Sequence, residues 1–338
     1  MLFSSKSGTK VGFFFYLSNI SHLILLFFWT KYIHSHLVRK TPMKKIAFIF
    51  NPISGGHRLI PVIPLIERHI NRNEFDFVIE ATQYKGHAKE LARKYAALGY
   101  YAVFAVGGDG TVNETGCGLL GTDTALGIIP CGSGNGLARH LGISMDPFKA
   151  IKWLNDSHIV RMDHGLINGQ PFFCTCGVGF DAAISMSFSQ SGTRGMTTYL
   201  ENIIREISKY RNESYRLFVD GVEQEYSAFI VTCANAGQWG NNAFIAPQAS
   251  VTDGLLDIAI IPSFTAIDIP IMAVQLFNRQ LNRNRNVRML RCSELGIVRE
   301  KPGVAHFDGD PIMLDREISI KIVPGSLNVL VPDKPRTI

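Results

Sequence analysis

The chain has 338 residues, of which 46% are hydrophobic and 18% charged, and its formal net charge is +6. This length fits two domains with substantial cores, and the hydrophobic fraction excludes an intrinsically disordered chain. Five of the 34 basic residues lie in 1–42, which contains no acidic residue, so 43–338 carries 29 basic against 28 acidic side chains. Because this near-neutral body has no basic excess to neutralise phosphates, we expect no nucleic-acid partner.

Residues 1–42 differ in composition from the rest of the chain. An apolar run at 11–29 is about long enough to span a bilayer, although Ser18, Asn19 and His22 interrupt it. Three interpretations stay open for this basic, hydrophobic extension. The first is that translation starts at Met43, so that the extension is absent from the working protein. The second is that the extension is a membrane anchor, and the third is that it has another role.

The six cysteines lie mostly in apolar runs and form no CxxC pair. This pattern predicts buried, reduced thiols and a cytoplasmic protein. There is no HExxH motif and the ten histidines show no metal-ligand spacing, so no zinc site is predicted.

Residues 43–160 alternate short, β-rich apolar runs with helical patterns. Strands joined by single helices imply right-handed crossovers and a parallel sheet, so this part is predicted to be a doubly wound α/β domain. Strands are predicted at 46–50, 75–81, 101–106 and 125–129, and helices around 65–70, at 86–98 and at 112–120.

After about residue 161 the pattern changes to short strands joined by tight turns, with the boundary near 155–165. We predict a mainly antiparallel β-sandwich domain over 161–324 and a return segment at 325–338. Asp220-Gly221 is a strong hairpin signal, and helices are predicted at 197–209 and 266–281. The predicted strands are 163–168, 172–177, 215–219, 225–234, 256–261, 287–290, 295–299, 313–314 and 318–323.

The segment V-G-G-D-G-T-V-N-E at 106–114 follows a buried strand and opens a helix. Its glycines let the backbone approach a bulky anion, and the helix N-terminus favours phosphate. The carboxylate of Asp109 would repel phosphate unless a cation lies beside it, and magnesium bound to ATP supplies one. The alternative is a tight turn with a solvated aspartate.

Two similar loops follow the first and fourth strands, at 51–55 (N-P-I-S-G) and 130–139 (P-C-G-S-G-N-G-L-A-R). Parallel strands bring all three loops to the carboxyl edge of one sheet, where ligands bind in such folds. The chain has no Gly-Lys dipeptide and therefore no Walker A loop. A GxGxxG match at 116–121 ends a helix rather than opening one, so it is not a dinucleotide fingerprint.

The second domain contains two acidic clusters. Asp253 and Asp257 flank a strand start and predict either a cation site or a hairpin turn. Asp308 and Asp310 flank Gly309, in a loop that could take a proton or face Mg–ATP, with a simple turn as the alternative.

These motifs resemble the diacylglycerol kinase/sphingosine kinase superfamily of lipid kinases, over nearly all of 43–330 and in the family's order. The resemblance implies a nucleotide domain related to those of NAD kinases and phosphofructokinases, and a C-terminal β-sandwich that receives lipid, with ATP in the cleft between them. It also implies that 327–331 returns to the first domain. The motifs are GGDGTVNE at 107–114, NPISGG at 51–56, PCGSGNGLAR at 130–139, GFDA at 179–182, the APQA…DGLLD run and FDGD at 307–310.

The resemblance implies ATP contacts from the three glycine-rich loops and from the end of the second strand. It also implies that Asp109 organises Mg²⁺ through water. A structural magnesium site is implied at Ser250, Asp253 and Leu255, the first and last through backbone carbonyls. The implied ATP contacts are Asn51, Pro52, Ile53, Ser54, Gly55, Thr82, Gly107, Gly108, Asp109, Gly110, Thr111, Val112, Asn113 and Ser133.

The chain departs from the family pattern at one catalytic position. The family usually has Asp-Gly-Glu where this chain has Asp308-Gly309-Asp310, and that Glu is a favoured catalytic base. Asp310 keeps the charge but is one methylene shorter, so the base is either Asp310 or Asp109, with Asp308 as a third catalytic candidate. Asp181 is a candidate for the lipid head group, or else a helix N-terminal acid.

We therefore expect an ATP- and Mg²⁺-dependent kinase that phosphorylates a hydroxyl of diacylglycerol or of a sphingoid-type lipid. The Gly-Ser-Gly-Asn turn favours sphingosine kinases, whereas Gly-Phe-Asp-Ala favours diacylglycerol kinases. The alternatives are an NAD kinase-like enzyme with a soluble substrate and a non-catalytic nucleotide- or lipid-binding protein. The expected partners are a membrane lipid and the membrane surface, with a peripheral location there, and a homodimer is left open.

Overall fold

The computed structural model describes residues 42–53, 62–190, 207, 210–262, 264 and 268–333. The apolar run at 11–29, Ser54, Gly55 and nearly all of the helix expected at 197–209 lie outside these residues. None of the helices formed by the described residues combines the length and hydropathy that a membrane span requires.

The first part of the chain forms a parallel sheet, as predicted, and its strand order is β2-β1-β3-β4. Strands β3 and β4 are buried along their whole length, because helices cover both faces of a parallel sheet. The strands are β1 (Lys44–Phe50), β2 (Phe75–Ala81), β3 (Ala102–Gly107) and β4 (Ala125–Pro130). The helices are α1 (Val62–His69), α2 (His87–Ala97), α3 (Asp109–Leu119), α4 (Gly136–His140) and α5 (Pro147–Lys152).

Helix α3 begins three residues earlier than predicted. Gly108 has an extended backbone and forms the N-cap, and Asp109 lies in the first turn. A carboxylate at that position interacts favourably with the helix dipole, whereas the glycine-rich sequence gives no helical periodicity. The early start puts Asp109 at the end of β3 and on a rigid element.

The second part of the chain is an antiparallel sandwich, which confirms the predicted fold class. Its strands are β5 (Ser157–Ile167), β6 (Gln170–Phe172), β7 (Thr175–Gly179), β8 (Glu213–Val219), β9 (Val222–Ala228), β10 (Ile230–Ala234), β11 (Leu256–Ile261), β12 (Arg288–Cys292), β13 (Glu294–Arg299), β14 (Gly303–Phe307), β15 (Asp310–Leu314) and β16 (Glu317–Pro332). Its helices are α6 (Phe180–Gln190) and α7 (Asp268–Phe277), and short 3-10 helices lie at Trp153–Asp156 and Leu281–Arg283.

One sheet of the sandwich has the order β12-β11-β10-β7-β14-β15, and it packs on strands of a second, ten-stranded sheet. Val231, Ile258 and Ile297 are among the fully buried residues between them. The long strand β16 pairs with β13 and β5 in the sandwich and then in parallel with β4, where Val329 lies opposite Leu126. The ten-stranded sheet therefore runs from the α/β part into the sandwich.

Two predicted strands are each divided in the structure. The run 172–177 is broken at Phe173 and Cys174, between β6 and β7, and the run 225–234 is broken at Phe229. In both cases the two halves belong to different sheets. The prediction of single strands was wrong because the residues at the breaks, Phe173, Cys174 and Phe229, are apolar and buried, so no turn residue marks the change of sheet.

Candidate functional site

The carboxyl ends of the four parallel strands lie side by side. Phe50 is opposite Ala81 on one side and opposite Val106 on the other, and Gly107 is opposite Pro130. The loops that follow these strands therefore start at one edge of the sheet. This is the position at which open α/β sheets bind ligands.

Asp109 is held by the loop that follows β4. Its Oδ2 accepts a hydrogen bond from the backbone N–H of Asn135 at 2.8 Å, and its Oδ1 accepts one from Gly136 at 2.7 Å. Burial raises the pKa of Asp109 above its ordinary value, and these N–H groups oppose the shift. The two donors leave acceptor positions open on a carboxylate that has about four.

The β3 and β4 loops approach each other too closely for side chains. A Cβ on Gly132 would lie 2.5 Å from the Cα of Gly108, and a Cβ on Gly134 would lie 2.7 Å from Oδ2 of Asp109. Ser133 lies exposed between these two glycines. The glycines therefore bring backbone and the Asp109 carboxylate together in one cluster.

The remaining implied ATP contacts are distributed along the same edge. Asn51 accepts a hydrogen bond from the N–H of Ile53 at 3.0 Å, in a turn that also contains Pro52. Thr82 is buried at the end of β2 and Thr111 is buried in α3, whereas Gly110 is exposed. Val112 and Asn113 of α3 face a cavity, and Ser54 and Gly55 lie outside the described residues.

Asp308 makes the most extensive contacts of the candidate acids. Its Oδ1 accepts N–H groups from Cys174 at 2.7 Å and Thr175 at 3.2 Å. Its Oδ2 accepts from the N–H of Phe173 at 2.9 Å and from Nδ2 of Asn113 at 2.8 Å. Burial raises its pKa, against these donors. Four donors fill the acceptor positions of a carboxylate, so Asp308 positions the loop that divides β6 from β7 and is not open to a substrate proton.

A cavity of about 550 Å³ extends from Asp109 and Ser133 between α6, α7 and the sandwich strands. Asn113 and Asp308 line it near α3. Most of the remaining lining is aliphatic or aromatic, including Ile184, Phe188, Phe229, Ile261, Met272 and Leu276. The arrangement suits an elongated apolar molecule with a polar end near Asp109.

Asp181 lies in the wall of this cavity, at the start of α6, with a side chain that is 8% exposed. Its Oδ2 accepts from Oγ1 of Thr232 at 2.5 Å and lies 2.9 Å from Nε2 of His306. Its Oδ1 accepts from the N–H of Ala182 at 2.8 Å. These partners stabilise a carboxylate inside an apolar cavity and leave one acceptor position for a ligand.

Two family models match consecutive parts of the chain. The diacylglycerol kinase catalytic domain matches residues 45–167, and the YegS C-terminal NAD kinase beta sandwich-like domain matches residues 174–331. The chain belongs to the diacylglycerol kinase superfamily. The family resemblance predicted from the motifs is thereby confirmed, and by family the protein is a kinase.

Relatives across this superfamily span nearly the whole molecule. A "Diacylglycerol kinase" of Mycobacterium tuberculosis is 29% identical over 87% of this chain and 97% of its own length. A "Probable lipid kinase YegS-like" of Chromohalobacter salexigens is 27% identical over 83% and 92%. A crystal structure described as a diacylglycerol kinase from Bacillus anthracis shares the fold, with a TM-score of 0.65 and 21% identity over 87% of this chain and 98% of that one.

The structure places Asp310 away from the cavity that the other acids line. Asp310 begins β15, is exposed, and forms an ion pair at 3.5 Å with the still more exposed Lys85 of the loop between β2 and α2. Within this diacylglycerol kinase-like chain, Asp109 is the better placed candidate for a base, because it lines the cavity and keeps open acceptor positions.

The structural magnesium site implied at Ser250, Asp253 and Leu255 has a different arrangement. The carboxylate of Asp253 is paired with the guanidinium of Arg291 and accepts a hydrogen bond from the N–H of Leu255 at 3.1 Å. The same guanidinium lies 3.4 Å from the carboxylate of Asp257. Ser250 hydrogen-bonds Thr252 through its hydroxyl at 3.3 Å. As arranged, these residues do not fit a cation, because an arginine already neutralises the carboxylate.

Sequence reasoning gave no role to several residues of the site. Thr232 and His306 reach Asp181 from strands far apart in sequence, and no local pattern connects them. Glu114, within the GGDGTVNE motif, accepts the N–H groups of Gly86 and Ala88 at 2.9 and 3.3 Å, so it caps the start of α2. The sequence signal that was available for Glu114 was its position in the motif, one helical turn beyond Gly110.

Proposed function

We propose that this protein transfers the γ-phosphate of ATP to a hydroxyl of a lipid held in the 550 Å³ cavity. The observation that carries the proposal is that this apolar cavity reaches Asp109, which stands at the glycine-rich edge of the parallel sheet. One carboxylate is thus shared by an anion-binding edge and an apolar acceptor site.

The nucleotide side of the proposal rests on the glycine-rich loops after β3 and β4. Gly132 and Gly134 keep side chains out of the space beside α3, so backbone groups can approach phosphates. The open acceptor positions of Asp109 fit a Mg²⁺ held through water, and such an ion would neutralise phosphate charge.

The acceptor hydroxyl gives its proton to Asp109 in this proposal. The hydroxyl oxygen then forms a bond to the γ-phosphorus while the bond between that phosphorus and the bridging oxygen breaks, and ADP leaves. Burial raises the pKa of Asp109, which makes it a stronger base than an exposed aspartate. Asp308 and Asn113 fix the cavity wall beside α3 and take no proton.

Diacylglycerol is the acceptor that we favour, and phosphatidic acid is then the product. The single hydroxyl of diacylglycerol is the group that reacts beside Asp109, so this acceptor needs no hydrogen bond from the carboxylate of Asp181, which also lines the cavity. A sphingoid amine would need that carboxylate as a counter-ion, but Thr232 and His306 already share it. The Mycobacterium tuberculosis relative named diacylglycerol kinase supports the same choice. We place the reaction on the cytoplasmic side of a membrane, in keeping with the burial of all six cysteines.

The test is a phosphotransfer assay of the purified full chain with γ-labelled ATP, Mg²⁺ and candidate acceptors. Diacylglycerol, sphingosine and ceramide are supplied in detergent micelles, and NAD in solution. Labelled phosphatidic acid supports the proposal, whereas labelled sphingosine phosphate corrects the acceptor. Labelled NADP would indicate a soluble-substrate kinase, and ATP binding without any labelled product would indicate a non-catalytic protein.

A further inference from the structure

Helix α7 exposes apolar side chains on most of its surface. None of its ten residues is buried, and Ile269, Ile271, Val274 and Phe277 are 36%, 53%, 60% and 54% exposed. A helix of a soluble protein normally turns such residues toward a core. An apolar patch of this kind commonly marks a site of interaction with a membrane or a protein.

The same helix borders the opening of the cavity. Met272 and Leu276 line the cavity, and so do the exposed Ile269 and Phe277. Residues that both line the interior and face solvent lie where the interior opens. The exposed apolar surface of α7 is therefore continuous with the apolar lining of the cavity.

A cluster of arginines follows α7. Arg279, Arg283, Arg285 and Arg288 are exposed, and the chain has no acidic residue between Asp268 and Glu294. Within the described part of the chain, no ion pair is formed by these four side chains. The cluster thus presents uncompensated positive charge.

The arginine segment folds back on the helix. Nδ2 of Asn284 donates to Oε1 of Gln275 at 2.7 Å, and the N–H of Gln280 donates to the carbonyl of Gln275 at 2.8 Å. Leu281, between the first two arginines, is buried and lines the cavity. These contacts keep the positive charges beside the apolar helix.

We propose that α7 and the arginines at 279–288 form a docking surface for an anionic lipid bilayer. Exposed apolar side chains beside several arginines, with no acid among them, fit a membrane whose surface carries negative charge. A lipid could then pass from the bilayer into the cavity without crossing water. The purpose of docking rests on the proposed function, but the binding itself needs no turnover.

The charge contribution is tested with the full chain and vesicles of phosphatidylcholine, with or without phosphatidylglycerol. Replacing Arg283, Arg285 and Arg288 by Gln should weaken binding to the anionic vesicles roughly 100-fold, at about fivefold per arginine. A control with Arg68, Lys149 and Lys301 replaced by Gln removes the same charge from exposed positions elsewhere. Equal loss in both variants would show that only net charge matters and would overturn the proposal.

A local probe separates docking by α7 from any binding through residues 1–41. The six native cysteines are buried, so an environment-sensitive fluorophore can be attached selectively at Val274→Cys. Val222→Cys, whose native side chain is 61% exposed against 60% for Val274, is the matched control. We expect a blue shift on anionic vesicles at position 274 alone. No shift there, or equal shifts at both positions, contradicts the proposal.

Activity in detergent micelles distinguishes this proposal from the kinase proposal. The arginine-to-glutamine variant should keep at least half of the wild-type turnover in micelles, because the arginines lie outside the proposed site. A wild-type protein that docks at position 274 but phosphorylates no lipid would overturn the kinase function and leave docking standing. A protein that phosphorylates lipid in micelles but shows no docking at position 274 would overturn the docking proposal and leave the kinase function standing.

Discussion

The side-chain amide of Asn113 donates a 2.8 Å hydrogen bond to the carboxylate of Asp308, 195 residues farther along the chain. Asn113 lies on α3, one turn after Asp109, and Asp308 lies in the turn between β14 and β15. Because Asp308 also binds the loop between β6 and β7, this contact fixes α3, at the glycine-rich edge of the sheet, against the wall of the cavity. Phosphotransfer depends on such fixed distances between reacting groups.

Asp308→Asn should strongly destabilise the protein. A carboxamide has one acceptor oxygen, so about two of the four N–H donors now bound by Asp308 lose their acceptor. Each buried donor left without a partner costs about 1–3 kcal/mol, and we expect the free energy of unfolding to fall by about 2–6 kcal/mol. Denaturant titration monitored by circular dichroism measures it.

Asp310→Asn is the matched control, two residues away. Its exposed ion pair with Lys85 spans 3.5 Å, and such pairs contribute about 0–1 kcal/mol. Similar destabilisation by both substitutions would mean that Asp308 is no more than a turn residue.

Asp109→Asn should abolish most of the turnover. It removes the proposed base and the negative charge nearest the nucleotide edge, and loss of a base alone lowers kcat about 10²–10⁴-fold. Asp310→Asn should lower kcat less than tenfold, since Asp310 does not line the cavity. Steady-state kinetics in micelles with diacylglycerol measures both. The reverse order of effects would identify Asp310 as the base and require the β14–β15 turn to move on binding.

Gly134→Ala should impair catalysis more than folding. The added Cβ would lie 2.7 Å from Oδ2 of Asp109, so the carboxylate must move. Misplacement of a reacting group by about 1 Å costs about 100-fold in rate. Gly110→Ala adds the same methyl group where no atom lies within 4 Å, and it should unfold no earlier than wild type. Unchanged kcat in Gly134→Ala would argue that the loop has room to adjust.

The sequence predicts the glycine-rich edge of the parallel sheet well because its determinants are local. Each glycine-rich loop directly follows a strand, and parallel pairing then brings the loops together without further information. The contacts of Asp308 could not be predicted in the same way. They depend on which strand pairs with β14, and the partner, β7, lies about 130 residues earlier. The arginine that neutralises Asp253 is likewise distant, 38 residues along the chain.

The sequence also did not predict which apolar residues of α7 face the cavity and which face solvent. Helix α7 falls inside the predicted helical range 266–281, but its apolar residues read like those of any core helix. Only the structure shows that Ile271 and Val274 face solvent while Met272 faces the cavity. A pattern records that a residue is apolar but not what covers it.

His140 should make the protein less stable in mildly acidic solution. Burial, with a contribution from Arg279, lowers its pKa from 6.5 to about 4, and its Nδ1 accepts the N–H of Gly237 at 3.2 Å. The unfolded chain then binds a proton that the folded protein refuses. The contribution of neutral His140 to the free energy of unfolding is fully present above pH 6.5. It falls as the pH drops toward 4, by up to about 1.4 kcal/mol per pH unit for this one group.

The measurement is the slope of unfolding free energy against pH between 6.5 and 4. His140→Asn keeps an acceptor for the N–H of Gly237 but cannot be protonated. The slope should therefore decrease by up to the amount that uptake of one proton contributes, about 1.4 kcal/mol per pH unit. His164, whose pKa is also lowered to about 4 by burial, contributes the same way and accounts for slope that remains in His140→Asn. An unchanged slope in that variant would mean that His140 is solvated in the folded protein.

Met272→Trp should shorten the acyl chain that the enzyme accepts. Met272 lines the cavity, and an indole at this position occupies volume that a long chain would need. A misfit of one methylene group costs about 10–200-fold in kcat/KM, so turnover of dioleoylglycerol should fall at least tenfold while dioctanoylglycerol changes little. Ile271→Trp, at the neighbouring exposed position, should leave the ratio of the two substrates unchanged in micelles. If Met272→Trp lowered kcat/KM equally for both substrates, the acyl chain would lie outside this cavity. Inside the cavity, the new side chain would obstruct a long chain more than a short one.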